Sequence, residues 1–376
     1  MFYEKIEALK AKKLFRELRD RRSPQGTRIA FDGREYINFS SNDYLGLANH
    51  PFIIERVKQA LDSYGFGAGA SRLLGGGSSL HNELETRVAQ FKKTESALVF
   101  NSGYAANTGI IPSIADEDTL LLSDELNHAS IIDGCRMSNA KIFVYAHKDI
   151  PHIEKLLQKE TGKKKIIITD SIFSMDGDIA PLNELYALCR NCNALLYVDD
   201  AHATGVIGEG KGSLAHFNIN PEPWIIQMGT FSKALGSLGA FLAGSEDIVR
   251  WTSNNARSFM YSTALPACVI AASLASLELA ENETDRLKKL WANREKLVKG
   301  ITDLGYDTMG SETPIIPIRT GSVENTLRIS EHLHRNGIFA PAIRPPTVKE
   351  SRIRINITAA HTDEDIERLV EALREV

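Results

Sequence analysis

A chain of 376 residues with 43% hydrophobic and 24% charged content has the make-up of an ordinary soluble globular protein, with length enough for two domains. A net charge of -4 and a pI near 6.2 speak against a nucleic-acid binder, and no apolar run is long enough to span a bilayer. Four cysteines at this size make no disulfide framework, so the cytoplasm is the expected compartment.

The N-terminal stretch MFYEKIEALKAKKLFRELRDRR has no apolar h-region, and Glu4, Glu7, Glu17 and Asp20 break the acid-poor pattern of a transit peptide. It reads as an amphipathic helix with Ile6, Leu9, Leu14 and Leu18 among its apolar positions. GFGAGA (65–70) has the glycine density of a dinucleotide fingerprint. The helix end QALDSYGF precedes it where that motif needs a strand, so the glycines read as irregular turns or close backbone approach.

Between about residues 95 and 245, short apolar runs alternate with helical patterns. The runs are 96–100, 119–124, 141–145, 165–170, 194–200, 224–229 and 239–244, and their length and β-branched content suit buried strands. This predicts an α/β domain with a mostly parallel, seven-stranded sheet. Within it, LNELYALCRNC spaces Leu182, Leu185 and Leu188 as a helix does, so Cys189 and Cys192 read as packing residues rather than a redox or zinc pair. GVIGEGKGS (205–213) nearly matches a P-loop, but Gly212 stands where a magnesium-binding hydroxyl is required, and a turn is expected. The run around Pro266–Ala280, broken by serines, reads as a buried helix. Beyond residue 280 come a long helix, short strands near IIPIRT and SRIRINIT, and a last helix after HTDED, which together suggest a smaller α+β domain.

In open α/β sheets, ligands sit beyond the carboxyl ends of the strands. The residues following these strands are Ser102-Gly103-Tyr104, Asp124 with His128, Asp170 with Ser174, Asp199 with His202, and Thr230 with Lys233. Five strand ends thus bring a donor, acceptor or base to one rim. Lys233 stands among small residues in GTFSKALGSLGA, where desolvation lowers an amine's pKa and lets it form a Schiff base with an aldehyde. Pyridoxal 5'-phosphate is the aldehyde this pattern favours. Its ring nitrogen needs a carboxylate, for which Asp199 is placed. Its phosphate needs N–H groups at a helix start, supplied by NSGYAAN, with Thr230 and Ser232 hydroxyls nearby. His128 is the candidate to stack on the ring. No metal site is expected. These residues leave the reaction open.

FSSNDYLGLANHP (39–51), GAGASRLLGG (67–76), FNSGYAAN (100–107), NHAS (127–130), SMDGDIAPL (174–182), VDDAHATGVIGEGKGS (198–213), GTFSKALG (229–236), YSTALP (261–266) and IRPPTV (343–348) resemble the α-oxoamine synthases over nearly the whole chain. The resemblance implies a fold-type I pyridoxal-phosphate homodimer with active sites shared between subunits. Together with the change of texture near residue 280, it leads to the expectation of a helical arm (1–45), a large cofactor domain (46–279) and a small C-terminal domain (280–376). Lys233 resembles the lysine that carries the cofactor, Asp199 the partner of the pyridinium nitrogen, and His202 the group bonded to the ring oxygen. Gly103, Tyr104 and Thr230 resemble phosphate-side contacts, with Ser174 near the polar edge. Ser262 and Thr263 would reach the phosphate held by the other subunit. His128 would stack on the ring and touch substrate. Asn42 and Arg344 would hold the amino-acid carboxylate, with Arg19 and Thr347 as further substrate-side candidates.

Within the family, GAGASRL and AIRPPTV look most like members that join L-alanine to pimeloyl-CoA, or to a pimeloyl carrier protein, with loss of carbon dioxide. Two positions depart from the family pattern: Ala203 stands where glycine is frequent after DAH, and Lys349 replaces a proline. The rival readings are a sister synthase joining glycine or serine to another acyl-CoA, an aminotransferase, and a cofactor-free binding protein with the same fold.

Overall fold

The computed structural model describes residues 2–159 and 164–376, so Met1 of the expected arm lies outside the described residues. The chain divides into two units. One comprises Met1–Ser41, Met175–Gly177 and Lys289–Val376; the other comprises Asn42–Ser174 and Asp178–Lys288. The division falls inside the helix Thr284–Asp303. In chain order the strands are β1 (Arg28–Phe31), β2 (Arg34–Asn38), β3 (Ser96–Phe100), β4 (Thr119–Asp124), β5 (Lys141–Tyr145), β6 (Lys164–Asp170), β7 (Leu195–Asp199), β8 (Ile225–Thr230), β9 (Ala240–Gly244), β10 (Ile315–Arg319), β11 (Ile338–Phe339), β12 (Ala342–Ile343) and β13 (Arg352–Asn356).

The larger unit is built on the seven-stranded sheet in the order β3-β9-β8-β7-β6-β4-β5. Among the described residues, only β9 runs against the rest. Strands β4, β8 and β9 are buried along their whole length, as expected of a sheet covered on both faces. The two-residue period splits their side chains cleanly. Ile166, Ile168 and Tyr197 pack with Ile110 and Ile131 on one face. Ile167, Leu196 and Val198 pack with Ile153, Leu182 and Leu185 on the other. Cys189 joins that second cluster, in keeping with a packing role.

The GVIGEGKGS segment is a run of turns fastened from beneath. Lys92 and Asp200 form a fully buried ion pair, Nζ to Oδ2 at 2.7 Å. Lys92 also donates to the Lys211 carbonyl (2.8 Å), and Asp200 accepts from the Ser213 amide (3.1 Å). Gly212 has φ +106°, and a Cβ there would lie 2.1 Å from Asp200 Oδ2. Glycine at this position is therefore required by the ion pair rather than by a phosphate.

In the smaller unit, β1-β2-β11 and β10-β13-β12 form two three-stranded sheets. The helix expected over residues 1–22 is shorter, ending at Ala11, and none of its residues is buried. Lys13 turns left-handed (φ 56°), and the Leu14 amide bonds back to the Leu9 carbonyl at 2.8 Å, a Schellman-type stop that apolar periodicity does not reveal. Strands β1, β2, β11 and β12 are additions to the sequence reading; each is five residues or shorter, too brief for a two-residue period to stand out. No helix among the described residues is long and apolar enough to cross a membrane.

Replacing Lys92 by Met should strand Asp200 as an uncompensated interior charge and cost about 3–5 kcal/mol, read as a lower urea midpoint. A loss under about 1 kcal/mol would show that the ion pair does not hold this loop.

Candidate active site

Register and pleat explain how the rim is assembled in the larger unit. Asp170 and Asp199 are direct neighbours at the ends of β6 and β7. Asp199 follows Tyr197 by two residues and so faces the same side of the sheet, toward the helix Gly103–Ile114. Asp200, one residue on, makes its bonds instead with Lys92 and the turn segment.

Asp199 is 3% exposed. Its Oδ1 accepts from the Ala201 amide (2.9 Å) and its Oδ2 from Asn107 Nδ2 (2.8 Å). Burial pushes its pKa up, opposed by the Lys233 ammonium, the Asn107 and Ala201 hydrogen bonds, and His128. Lys233, half-buried after β8, is thus within electrostatic reach of Asp199, His128 and Asp170. His128 precedes the helix Ala129–Met137, and its ring Nδ1 accepts from the Ser130 amide at 3.2 Å. Burial holds the His128 pKa down; Asp199 raises it and Lys233 lowers it, leaving a neutral imidazole at pH 7. Its backbone amide donates to Asp170 Oδ2 at 2.6 Å. Burial, together with the Asp199 charge, pushes Asp170 well above the usual carboxylate range.

The other expected positions fall as follows. His202 is 6% exposed, with Nδ1 2.8 Å from the Tyr44 hydroxyl. That hydroxyl also reaches Asn42 Oδ1 at 3.4 Å, so Asn42 and His202 are linked through one tyrosine. Gly103 opens a twelve-residue helix capped by Ser102, whose side chain accepts from the Ala105 amide. Tyr104 is 48% exposed and donates its hydroxyl to Asp133. Thr230 Oγ1 donates to the Gly239 carbonyl (2.7 Å) and accepts from the Ser232 amide (3.1 Å). Ser174 is half-buried and is the last residue of the first segment of the larger unit. The Thr263 carbonyl accepts from Asn101 (2.7 Å), and Thr263 bridges to Ser71. Ser262 lines a small cavity with Arg72 and His81.

In the smaller unit, Arg344 donates to the Lys13 (2.8 Å) and Phe15 (3.0 Å) carbonyls, while Arg16 reaches Thr347 Oγ1 (3.1 Å). These contacts gather Arg344 and Thr347 against the N-terminal segment. Arg19 instead lies 2.9 Å from His334 Nε2 and over the Phe339 ring.

Asn107, Ser130, Tyr197 and Tyr44 join this arrangement as bonding partners that the sequence reading did not single out, while Asp170 was among its strand-end residues. All four lie within, or next to, motifs already quoted, but a motif does not reveal which of its polar side chains turns inward. Asp124, grouped with His128 in the sequence reading, turns elsewhere. It accepts from the Leu126 and Lys148 amides, and its Oδ1 lies 3.0 Å from His147 Nδ1.

A mostly parallel sheet with a lysine, a buried carboxylate and a histidine at its strand ends defines a fold-type I transferase, the class that works with pyridoxal phosphate. The chain belongs to the aminotransferase class I and II family, which matches residues 34–373. It is 47% identical over 382 residues to a protein of Geotalea daltonii named 8-amino-7-oxononanoate synthase, covering 100% of this chain and 97% of that one. A serine palmitoyltransferase structure from S. paucimobilis with a bound PLP–myriocin aldimine has a TM-score of 0.94 at 26% identity, covering 100% of this chain and 96% of that one. The structure of 8-amino-7-oxononanoate synthase from Francisella tularensis has a TM-score of 0.79 at 27% identity, covering 90% and 97%.

The residues present fit that cofactor. Helix Gly103–Ile114 offers N–H groups to a phosphate, and Asp199 offers a carboxylate to a ring nitrogen. Lys233 offers an amine beside them.

His147 yields a pH prediction. Burial lowers its pKa, but the hydrogen bonds to Asp124 and to Asp178 (2.9 Å) win and raise it to about 9. A folded-state pKa above the unfolded value of about 6.5 gives stability that is full below pH ~6.5 and lost as the pH rises through 9. His147→Gln should therefore cost on the order of 2 kcal/mol near pH 6, and the gap from the parent should close by about pH 10 in urea melts. A gap independent of pH would refute this role.

Proposed function

We propose that this chain catalyses the decarboxylative condensation of L-alanine with a pimeloyl thioester, yielding 8-amino-7-oxononanoate, carbon dioxide and the free thiol, a step of biotin biosynthesis. The observation that carries this reading is 47% identity to the Geotalea daltonii synthase over nearly its whole length, supported by a filled set of strand-end residues. Pyridoxal phosphate, when bound, supplies an electron sink for the negative charge that develops at the alanine Cα.

The chain's own groups do the rest. Lys233 Nζ carries the cofactor in the resting enzyme, then removes and returns the Cα proton, a role suited to an amine standing within electrostatic reach of the Asp199 carboxylate and the His128 ring. Asp199, held by Asn107 and Ala201, keeps a fixed negative charge where a ring nitrogen must stay protonated. His128, neutral, presents an uncharged ring face for stacking. His202, oriented by Tyr44, is the proposed donor to the ring oxygen. Gly103, Tyr104, Thr230 and Ser174 are the proposed phosphate and polar-edge contacts. The family likeness assigns the carboxylate to Asn42 and Arg344, whose fork would have to exchange the Lys13 and Phe15 carbonyls for the anion, and the substrate side to Arg19 and Thr347. Coenzyme A as the thiol carrier, a cytoplasmic homodimer in which Ser262 and Thr263 serve the other subunit, and the domain division 1–45, 46–279 and 280–376 belong to the same proposal.

Purified protein titrated with pyridoxal phosphate should develop visible absorbance, and adding alanine and pimeloyl-CoA should release CoA. Glycine and serine should release little. Lys233→Ala should abolish both the band and the thiol release, and Asp199→Asn should lower kcat on the order of 10²–10³-fold. Release with glycine rather than alanine would move the chain to a sister synthase.

A further inference from the structure

Asn107 is fully buried in the helix Gly103–Ile114, and its amide is saturated. Nδ2 lies 2.8 Å from Asp199 Oδ2 and 2.9 Å from Ser130 Oγ, while Oδ1 accepts from the Tyr197 hydroxyl at 2.6 Å. A carboxylate only accepts, so the amide nitrogen must face Asp199 and the amide oxygen must face Tyr197. The direction of the next bonds follows. Ser130 Oγ receives a hydrogen from Asn107 and passes its own to His128 Nδ1, 2.7 Å away. The Ser130 amide donates to the same nitrogen at 3.2 Å. An imidazole nitrogen that accepts twice carries no proton, so the His128 proton sits on Nε2.

We propose that Asn107 is a positioning residue of the reaction, which sets the Asp199 carboxylate and the His128 tautomer together by donating one amide hydrogen toward each. The inference rests on the pyridoxal-phosphate reading above. Tyr197 locks the amide against rotation: a flipped amide would point its N–H at the tyrosine and its oxygen at a carboxylate. The helix Ala129–Met137 approaches closely enough for this because Gly134 has no side chain; a Cβ there would lie 2.6 Å from the Asn107 carbonyl. The ionisable groups facing Asp199 are Lys233 from the segment after β8, His128 from the turn before the helix Ala129–Met137, Asp170 from β6, and Tyr197 from its own strand β7. Asn107, from the helix Gly103–Ile114, is the neutral side-chain donor to it, beside the Ala201 amide. Its loss should therefore be felt as a change in the site's titration as well as in its strength.

The test compares wild type with Asn107→Asp, Asn107→Ala, Tyr197→Phe and Ser130→Ala, each as apoprotein titrated with pyridoxal phosphate. The readouts are cofactor Kd, the pH midpoint of the visible band, Tm, and kcat/KM with alanine and pimeloyl-CoA. Asn107→Asp keeps the shape and removes the donors. It should weaken cofactor binding roughly 10–100-fold and move the band's midpoint by about one pH unit or more, since hydrogen bonds to charged groups are of that strength. Tyr197→Phe should move the same readouts in the same direction by less than about tenfold. Adding Ser130→Ala to Asn107→Ala should cost little more kcat/KM than Asn107→Ala alone, because both cut one chain. A lowered Tm with unchanged Kd and midpoint would make Asn107 structural and overturn the inference. If wild type shows the band and CoA release while Asn107→Asp matches it, the inference alone fails. If wild type shows neither, the functional reading fails and takes the inference with it.

Discussion

An ionised carboxylate buried at the end of a parallel strand costs several kcal/mol unless charge and hydrogen bonds compensate it. Asp199 is compensated by the Asn107 amide, the Ala201 N–H and the nearby Lys233 ammonium. Each of these comes from a different part of the larger unit: a helix following β3, the turn after β7, and the segment after β8. The geometry of this carboxylate therefore depends on the whole sheet being in register. A one-residue slip of β7 would turn Asp199 to the opposite face and bring Asp200 to the helix side.

The neighbouring aspartate shows how the same chemistry serves stability. Asp200 is as deeply buried as Asp199, but its partner Lys92 is a full opposite charge and its other acceptors are filled by Ser213. Two adjacent aspartates are thus separated by the strand's alternation into one held by neutral donors beside a lysine amine, and one neutralised outright. Asp124 and Asp178, clamped on His147, are a third case, in which carboxylates stabilise a protonated imidazole. Of these three arrangements, the one around Asp199 places a lysine, a neutral histidine and a buried carboxylate side by side.

Much of this was legible from residues. The seven strands were placed to within a residue or so at each end, because the largely buried ones read as short apolar runs flanked by helical patterns; β5, at the sheet edge and mostly half-exposed, was read as buried from its apolar composition alone. Lys233, Asp199 and His128 were legible because small-residue surroundings and strand-end positions are written in the chain. The N-terminal helix was overextended, since apolar spacing continues past Ala11 while the backbone turns at Lys13. Asn107 was passed over although it stands inside a quoted motif. Its polar side chain reads as an ordinary loop or helix-start asparagine until its three partners are known.

Local pattern and residue chemistry thus determined the sheet, the family and the strand-end positions of Lys233, Asp199 and His128, because each is encoded within a few neighbouring residues. Tertiary structure alone decided which polar groups meet. Asn107 joins Asp199 across 92 positions and Ser130 across 23, Tyr44 joins His202 across 158, and Lys92 joins Asp200 across 108. Such contacts are set by strand register and by the closeness of helices, which depend on packing over the whole unit and leave no periodic trace in the residues that make them.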